Sequence, residues 1–330
     1  MTGSVVVFTL GGTISARAGG APRMTGAEVL AAAGVPATDA VELRDFRRLP
    51  GSSLSFGDIA ALAEEIGTVT EAGSGAVVVQ GTDTIEETAF LLDLLCTTTS
   101  APVVVTGAMR RPDLPGADGP ANLAGAIAVA ADPGCRALGV LVVCADEIHS
   151  ARHVRKAHTT SIATFASPGA GPLGILVEGS PRILLRPASY PLVADAPLAL
   201  RRQVRVCLLT LALGDGGELL DSVDERFDGL VVAAFGAGHV PAWLVEPLER
   251  LAVRMPVVLA SRTGSGALLS RTYTGPGSEI DVLSRGLLSA GHLDAPKARL
   301  LLHALLADGA DRERVTETFA RIAGGAPAPA

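Results

Sequence analysis

Four short β-branched runs constrain what this chain can fold into: Val5-Val6-Val7-Phe8, Val77-Val78-Val79, Val103-Val104-Val105 and the run over 140–143. Each ends on a turn of small residues. After the first three a helical pattern usually follows, as over 85–95 and 121–127. A strand that is apolar at every position must be covered on both faces. Such strands alternating with helices predict a doubly wound, mainly parallel sheet. A further helix is predicted from Phe56 to about Glu71, with Ser55 and Asp58 at capping distance.

Over 183–202 the text becomes rich in proline, alanine and arginine and sustains no period. We take this as the break between two domains, with an N-terminal domain over 1–185, a linker over 186–203 and a C-terminal domain over 204–330. In the second part, strands are predicted over 204–211, 229–235 and 256–260, and helices over 240–253, 297–306 and 312–322. The expected class is α/β: a larger doubly wound N-terminal domain and a smaller Rossmann-like C-terminal one.

Composition removes several functions. The charge is 27 − 34 = −7, and only 8 Phe, 1 Trp and 2 Tyr are present. A nucleic-acid or anionic-membrane surface needs a basic excess, and base-stacking platforms need aromatics. No apolar stretch approaches the roughly 20 residues that span a bilayer. The first residues lack the basic and small-residue pattern of a signal peptide, so a cytoplasmic location is expected. Cys96, Cys135, Cys144 and Cys207 form no C-x-x-C pair and are expected to be buried small hydrophobes. His149, His153 and His158 cluster without a zinc pattern and are expected to be solvated. The run from Gly169 to Gly174 spells G-x-G-x-x-G, but Pro172 interrupts it and no strand is expected before it.

The chemistry is expected where ligands bind in such sheets, outside the carboxyl ends of the strands. Three ends carry glycine beside a hydroxyl or carboxylate: Gly11-Gly12-Thr13, Gly81-Thr82-Asp83-Thr84 and Thr106-Gly107-Ala108. Glycine lets backbone approach a ligand closely. Each turn also has a plain structural reading. Thr84 with Glu87, or Asp83 with Glu86, fits a helix capping box, and Gly11-Gly12 fits a tight turn. Three such turns on one sheet edge favour a site. Only two lysines occur, Lys156 and Lys297, so 27 − 2 = 25 basic residues are arginine. Arginine keeps its proton, whereas a lysine shielded from water can act as a base. Two threonines, an aspartate and such a lysine suit acyl transfer.

On these residues the chain resembles the bacterial-type L-asparaginase family. The matching blocks are Leu10-Gly-Gly-Thr-Ile14, Gly81-Thr-Asp-Thr-Ile-Glu-Glu-Thr88, Thr106-Gly-Ala-Met-Arg110, Ala117-Asp-Gly-Pro-Ala-Asn-Leu123, Val154-Arg-Lys-Ala-His-Thr159, Pro172-Leu-Gly174 and Pro296-Lys-Ala-Arg-Leu300. They run in order through nearly the whole chain. The resemblance implies hydrolysis of a side-chain amide, with Thr13 as nucleophile and Thr82, Asp83 and Lys156 moving protons and placing water. It implies that Ser52 and Ser53 grip the substrate's α-carboxylate and Asp83 its α-ammonium. Backbone at Gly12, Gly81, Thr82 and Ala108 would line the pocket and supply oxyanion donors, and the resemblance implies neither a metal nor an organic cofactor. Subunits would pair as a homodimer or homotetramer, with Glu279 and His239 reaching a neighbour's site.

Three departures stand out. The loop over 15–24 has no tyrosine where the family carries one. Ser53 replaces a carboxylate-binding glutamine, and Gln80 replaces a histidine. Tyr273, six residues before Glu279, is a candidate to supply the missing phenol from a neighbouring subunit, the alternatives being that it packs at the interface or that Thr13 relies on water; Tyr190 lies in the linker. L-asparagine is the expected substrate. L-glutamine, an asparaginase-like subunit of a tRNA-dependent amidotransferase, and a non-catalytic amino-acid-binding module are the alternatives. Thr13 close to the start disfavours the amidotransferase subunit, and the retained Thr13, Thr82, Asp83 and Lys156 disfavour the module.

Overall fold

The computed structural model describes residues 3–17, 19, 24–35, 40–96, 101–187, 202–223 and 225–324. The expected linker and Tyr190 fall almost entirely outside them. The chain divides into two compact units, Met1–Leu192 and Val193–Ala330.

In the first unit the chain runs β1 (Val5–Thr9), α1 (Gly26–Ala32), β2 (Val41–Asp45), α2 (Phe56–Glu71), β3 (Gly75–Val79), α3 (Ile85–Leu95), β4 (Val103–Thr106) and α4 (Gly119–Ala131). Then come β5 (Val140–Cys144), β6 (Glu147–Ser150), β7 (Arg155–Lys156), β8 (Phe165–Ala166), β9 (Gly174–Val177) and β10 (Ser180–Ile183). Eight strands form one sheet in the order β10-β9-β6-β5-β4-β3-β1-β2. From β2 to β5 the pairs are parallel, and β6, β9 and β10 extend the sheet with antiparallel pairs. All five residues of β3 and of β5 are buried. Val5, Val7, Val77, Val79 and Val104 pack with Leu123, Ala126 and Val129 of α4. By strand alternation, Phe8 and Val78 face the opposite side. Each buried valine contributes on the order of 2 kcal/mol of transfer free energy, so a doubly covered strand is strongly placed. The Phe56–Glu71 helix has the expected reciprocal cap between Ser55 and Asp58.

After the fourth valine-rich run the chain turns straight into another strand. Ala145 and Asp146 take φ of 50° and 62°, a left-handed pair that folds β5 back into β6. The structure departs from the sequence reading in identifiable places. His149 on β6 is 1 % exposed, not solvated. Its Nδ1 lies 3.0 Å from Ser167 Oγ. A short strand, β8, does precede the 169–174 glycines. A strand and not a helix follows them, so no anion-binding helix terminus arises there.

The second unit contains β11 (Val206–Thr210), β12 (Gly229–Ala234), α5 (Val245–Arg254), β13 (Val257–Ser261), α6 (Glu279–Ser284), β14 (Leu288–Ser289), α7 (Ala295–Ala307) and α8 (Arg312–Ile322). Its four strands pair in parallel in the order β11-β12-β13-β14. Cys207 on β11 is half-buried, whereas the other three cysteines are buried as expected. The helix expected over 240–253 starts five residues late. Pro241 is held extended, and its ring disfavours the helical region for the residue before it. Among the described residues no helix is long and apolar enough to cross a membrane.

His303 of α7 is 2 % exposed, and burial pushes its pKa down to about 4. The unfolded chain therefore takes up this proton first. The His303 contribution is complete above about pH 6.5 and is lost as the pH falls towards 4, a change of about 3 kcal/mol. His303→Gln should flatten this part of the stability profile in denaturant titrations between neutral and mildly acidic pH. An unchanged slope would place the acid sensitivity elsewhere.

Candidate active site

Four loops of the first unit meet through their glycines. Gly11 and Gly12, after β1, have φ of 106° and 95°, which side chains rarely tolerate. A Cβ on Gly12 would lie 2.3 Å from the Gly81 nitrogen, after β3. A Cβ on Gly51 would lie 2.7 Å from the Gly81 oxygen, and one on Gly107, after β4, 2.5 Å from the Gln80 oxygen. The expected convergence of the three strand ends is thus backbone against backbone, with the Gly51–Ser53 turn as a fourth member. Main-chain bonds tie them: Leu10 N–H to Val79 O at 2.8 Å, Leu49 N–H to Leu10 O at 2.8 Å and Gln80 N–H to Thr106 O at 3.1 Å.

This packing sets Thr13 and Thr82 one residue either side of the Gly12–Gly81 contact. Each opens a single 3-10 turn, Thr13–Ser15 and Thr82–Thr84. Among the described residues nothing hydrogen-bonds the Thr13 side chain. Ser52 and Ser53 are exposed at the Gly51–Ser53 turn. Ala108 is buried at 1 %, with the backbone of Gly119 against it. A cavity of about 290 Å³ lies beside the Thr13 turn, lined by Gly11, Ile14, Ser15, Met24, Asp45 and Arg48 among others, and does not include Thr82 or Lys156.

Lys156 arrives on β7. Its Nζ donates to Thr82 Oγ1 at 3.0 Å and to Asp83 Oδ1 at 3.1 Å. Its backbone N–H donates to the Glu86 carboxylate in the first turn of α3. Asp83 and Glu86 therefore do not form the capping box that their spacing allows, and Thr84 makes no side-chain cap. The Asp83 side chain is 62 % exposed and the Lys156 side chain 18 %. A lysine amine at this distance can exchange a proton with the threonine hydroxyl, while the open carboxylate can hold an ammonium group.

Other residues of the framework escaped the sequence reading. Asp118 accepts from the N–H groups of Met109 and Arg110 at 2.9 and 2.8 Å. Asn122 donates to Gly107 O at 2.9 Å and accepts from Ala145 N–H at 2.9 Å. Together they fix the loop after β4. Both lie in the Ala117–Leu123 block, so the signal was present; their partners are eight to 23 residues away.

His239 and Glu279 belong to the second unit and lie together there. Glu279 is fully buried and accepts from Thr272 N–H and Tyr273 N–H at 2.9 and 2.8 Å. Burial pushes its carboxyl up, but these main-chain donors and nearby His239 outweigh it and hold the group below the usual carboxylate range. His239 Nε2 stands 3.4 Å from Glu279 Oε2, and neither atom has a well-formed hydrogen bond among the described residues. The Tyr273 ring lies edge-on against the His239 ring, with centroids 4.9 Å apart. Lys297, the other lysine, is 1 % exposed in the first turn of α7. The described residues hold no group of three or more His, Cys, Asp or Glu that could bind a metal.

Comparison with known proteins gives the family. Residues 4–189 match the family model for the asparaginase N-terminal domain, and residues 205–319 match that for the glutaminase/asparaginase C-terminal domain. A probable L-asparaginase of Deinococcus radiodurans is 35 % identical over 313 residues, 94 % of this chain and 94 % of that protein. An L-asparaginase of Bacillus licheniformis is 30 % identical over 317 residues, 93 % of this chain and 96 % of that protein. A glutaminase-asparaginase of Pseudomonas aeruginosa is 28 % identical over 336 residues, 96 % and 90 % of the two chains. The chain belongs to the bacterial-type L-asparaginase family.

Proposed function

We propose that this chain is an L-asparaginase, which hydrolyses the side-chain amide of L-asparagine to L-aspartate and ammonia through an acyl-enzyme on Thr13. The observation that carries the reading is the Lys156–Thr82–Asp83 cluster, one residue from the Gly12–Gly81 contact beside Thr13. Thr13 Oγ attacks the amide carbon, and its proton leaves on the departing nitrogen as ammonia. The resulting ester is cleaved by water: Thr82 takes a proton from the water as it hands its own to the Lys156 amine, and that proton is returned to the ester oxygen, which leaves as the Thr13 hydroxyl. Backbone N–H groups at the glycine turns stabilise the oxyanion. Asp83, open to solvent beside Lys156, receives the α-ammonium group, and the exposed hydroxyls of Ser52 and Ser53 receive the α-carboxylate.

The catalytic unit in this reading is 1–185, with 186–203 as linker and 204–330 as the second domain. The chain pairs with copies of itself, so that the segment carrying His239 and Glu279 completes a neighbour's site. Three features support this. His239 is only half-buried, and Glu279 Oε2 lacks a well-formed partner among the described residues. The apolar side chains of Leu213, Leu219 and Trp243 are also exposed on the second unit, as they are where a partner covers a surface. We place the protein in the cytoplasm, because all four cysteines are free and three are buried.

Two substitutions test the reading. Thr13→Ala should lower ammonia release from asparagine by about a thousandfold or more, as loss of a nucleophile does, with circular dichroism unchanged. Near wild-type turnover by the folded variant would remove Thr13 from the chemistry. Lys156→Arg keeps the charge but cannot release a proton, so most activity should be lost; a rate within about threefold of wild type would leave Lys156 only as a fixed cation.

A further inference from the structure

The side chain of Thr84 takes no part in the chemistry above, nor does it cap α3. It points across the site framework. Thr84 Oγ1 donates to Gly51 O at 3.0 Å, a bond linking residues 33 apart in sequence. Gly51 opens the turn that carries Ser52 and Ser53, and Thr84 closes the turn that carries Thr82 and Asp83. Among the described residues this is the side-chain hydrogen bond joining the two turns.

The direction of that bond is enforced from behind. Gln80 is fully buried, and its Nε2 donates to Thr84 Oγ1 at 3.2 Å and to Gly81 O at 3.4 Å. A hydroxyl has one proton to give. With the Gln80 amide nitrogen occupying an acceptor lone pair of Thr84, that proton goes to Gly51 O. Gln80 Oε1 is itself buried with no hydrogen-bond partner among the described residues. Leaving a buried carbonyl oxygen unpaired costs free energy, so the amide orientation works against its own satisfaction while keeping the relay directed at Gly51.

We infer that Thr84, directed by Gln80, is a positioning residue that sets the spacing between the α-carboxylate grip at Ser52 and Ser53 and the amide-cleaving group at Thr82 and Lys156, and so selects substrate side-chain length. This rests on the reading of the Gly51–Ser53 turn given above. Asparagine and glutamine share both α-groups and the amide, and differ by one methylene between them. A grip fixed at one distance from the chemistry accepts one length; a grip that can shift accepts both. The glycine contacts make the spacing tight, since a Cβ on Gly51 would also meet Thr84 Oγ1 at 3.1 Å. Thr84 is the element of that contact that a conservative substitution can loosen.

The experiment is steady-state kinetics of wild type, Thr84→Val, Thr84→Ser and Gln80→Met on asparagine and glutamine, with ammonia release as the readout. Thr84→Val preserves shape and removes the hydroxyl. Loss of the strap should raise KM for asparagine about tenfold and change kcat less than about threefold, the split of a ground-state binding defect. The ratio of kcat/KM between asparagine and glutamine should narrow in the same variant. Thr84→Ser should restore both values, and Gln80→Met, which frees the hydroxyl to turn, should show a smaller shift in the same direction. An unchanged substrate ratio in Thr84→Val, or an equal fall of kcat on both substrates with no change in KM, would overturn the proposal. If Thr84→Val does not fold, an unchanged substrate ratio in Gln80→Met would overturn it alone. Ser52→Ala and Ser53→Ala serve as controls on the underlying reading. If neither raises KM, the turn does not hold the carboxylate, whatever Thr84 does. If they raise it while Thr84→Val changes nothing, only the strap is refuted.

Discussion

The site depends on one steric fact: Gly81 is pressed between Gly12 on one side and Gly51 on another, at distances no side chain could share. Three chain segments far apart in sequence meet there without an intervening Cβ. The sheet makes this possible, because β1 and β3 are neighbours in register, with Thr9 opposite Val79. The residues that follow them leave the sheet at the same level. Everything proposed for the chemistry hangs on that junction, from the placement of Thr13 beside Thr82 to the approach of the Gly51–Ser53 turn.

Onto the junction the start of α3 adds a second layer of control. Within five residues, Thr82 accepts from Lys156, Asp83 accepts from it too, Thr84 reaches Gly51, and Glu86 accepts the Lys156 main-chain N–H. A helix start is stiff, since its following turns are hydrogen-bonded and its apolar face is buried. Here Ile85, Ala89, Phe90 and Leu92 are fully buried. One rigid element therefore fixes the lysine, the threonine it touches and the neighbouring turn. The lysine is held at its backbone as well as at its amine, which leaves little freedom in the Lys156–Thr82 distance.

Much of this was legible in the sequence, and the reasons are local. The continuous valine runs announced buried parallel strands, and glycine beside threonine at their ends announced where the loops converge. What was not legible has non-local causes. Thr84 and Asp83 have the spacing of a capping box, but Thr84 is drawn to Gly51 and Asp83 to Lys156, partners 33 and 73 positions away. The edge strand β2 escaped notice because Val41 to Asp45 is nowhere fully buried and shows little contrast. His149 looked solvated because its cover, Ser167, comes from the segment after β8. The helix after Pro241 begins later than its apolar period suggests, and the proline itself carries that signal.

The proposed chemistry requires a covalent intermediate on one particular threonine. Acid quenching of the enzyme during turnover of asparagine, followed by peptide mass mapping, tests it most directly. A β-aspartyl ester is expected on the peptide containing Thr13, at Thr13 itself, and only when substrate is present. An ester at Thr82 or any other residue, or steady turnover with no acylated peptide, would contradict it.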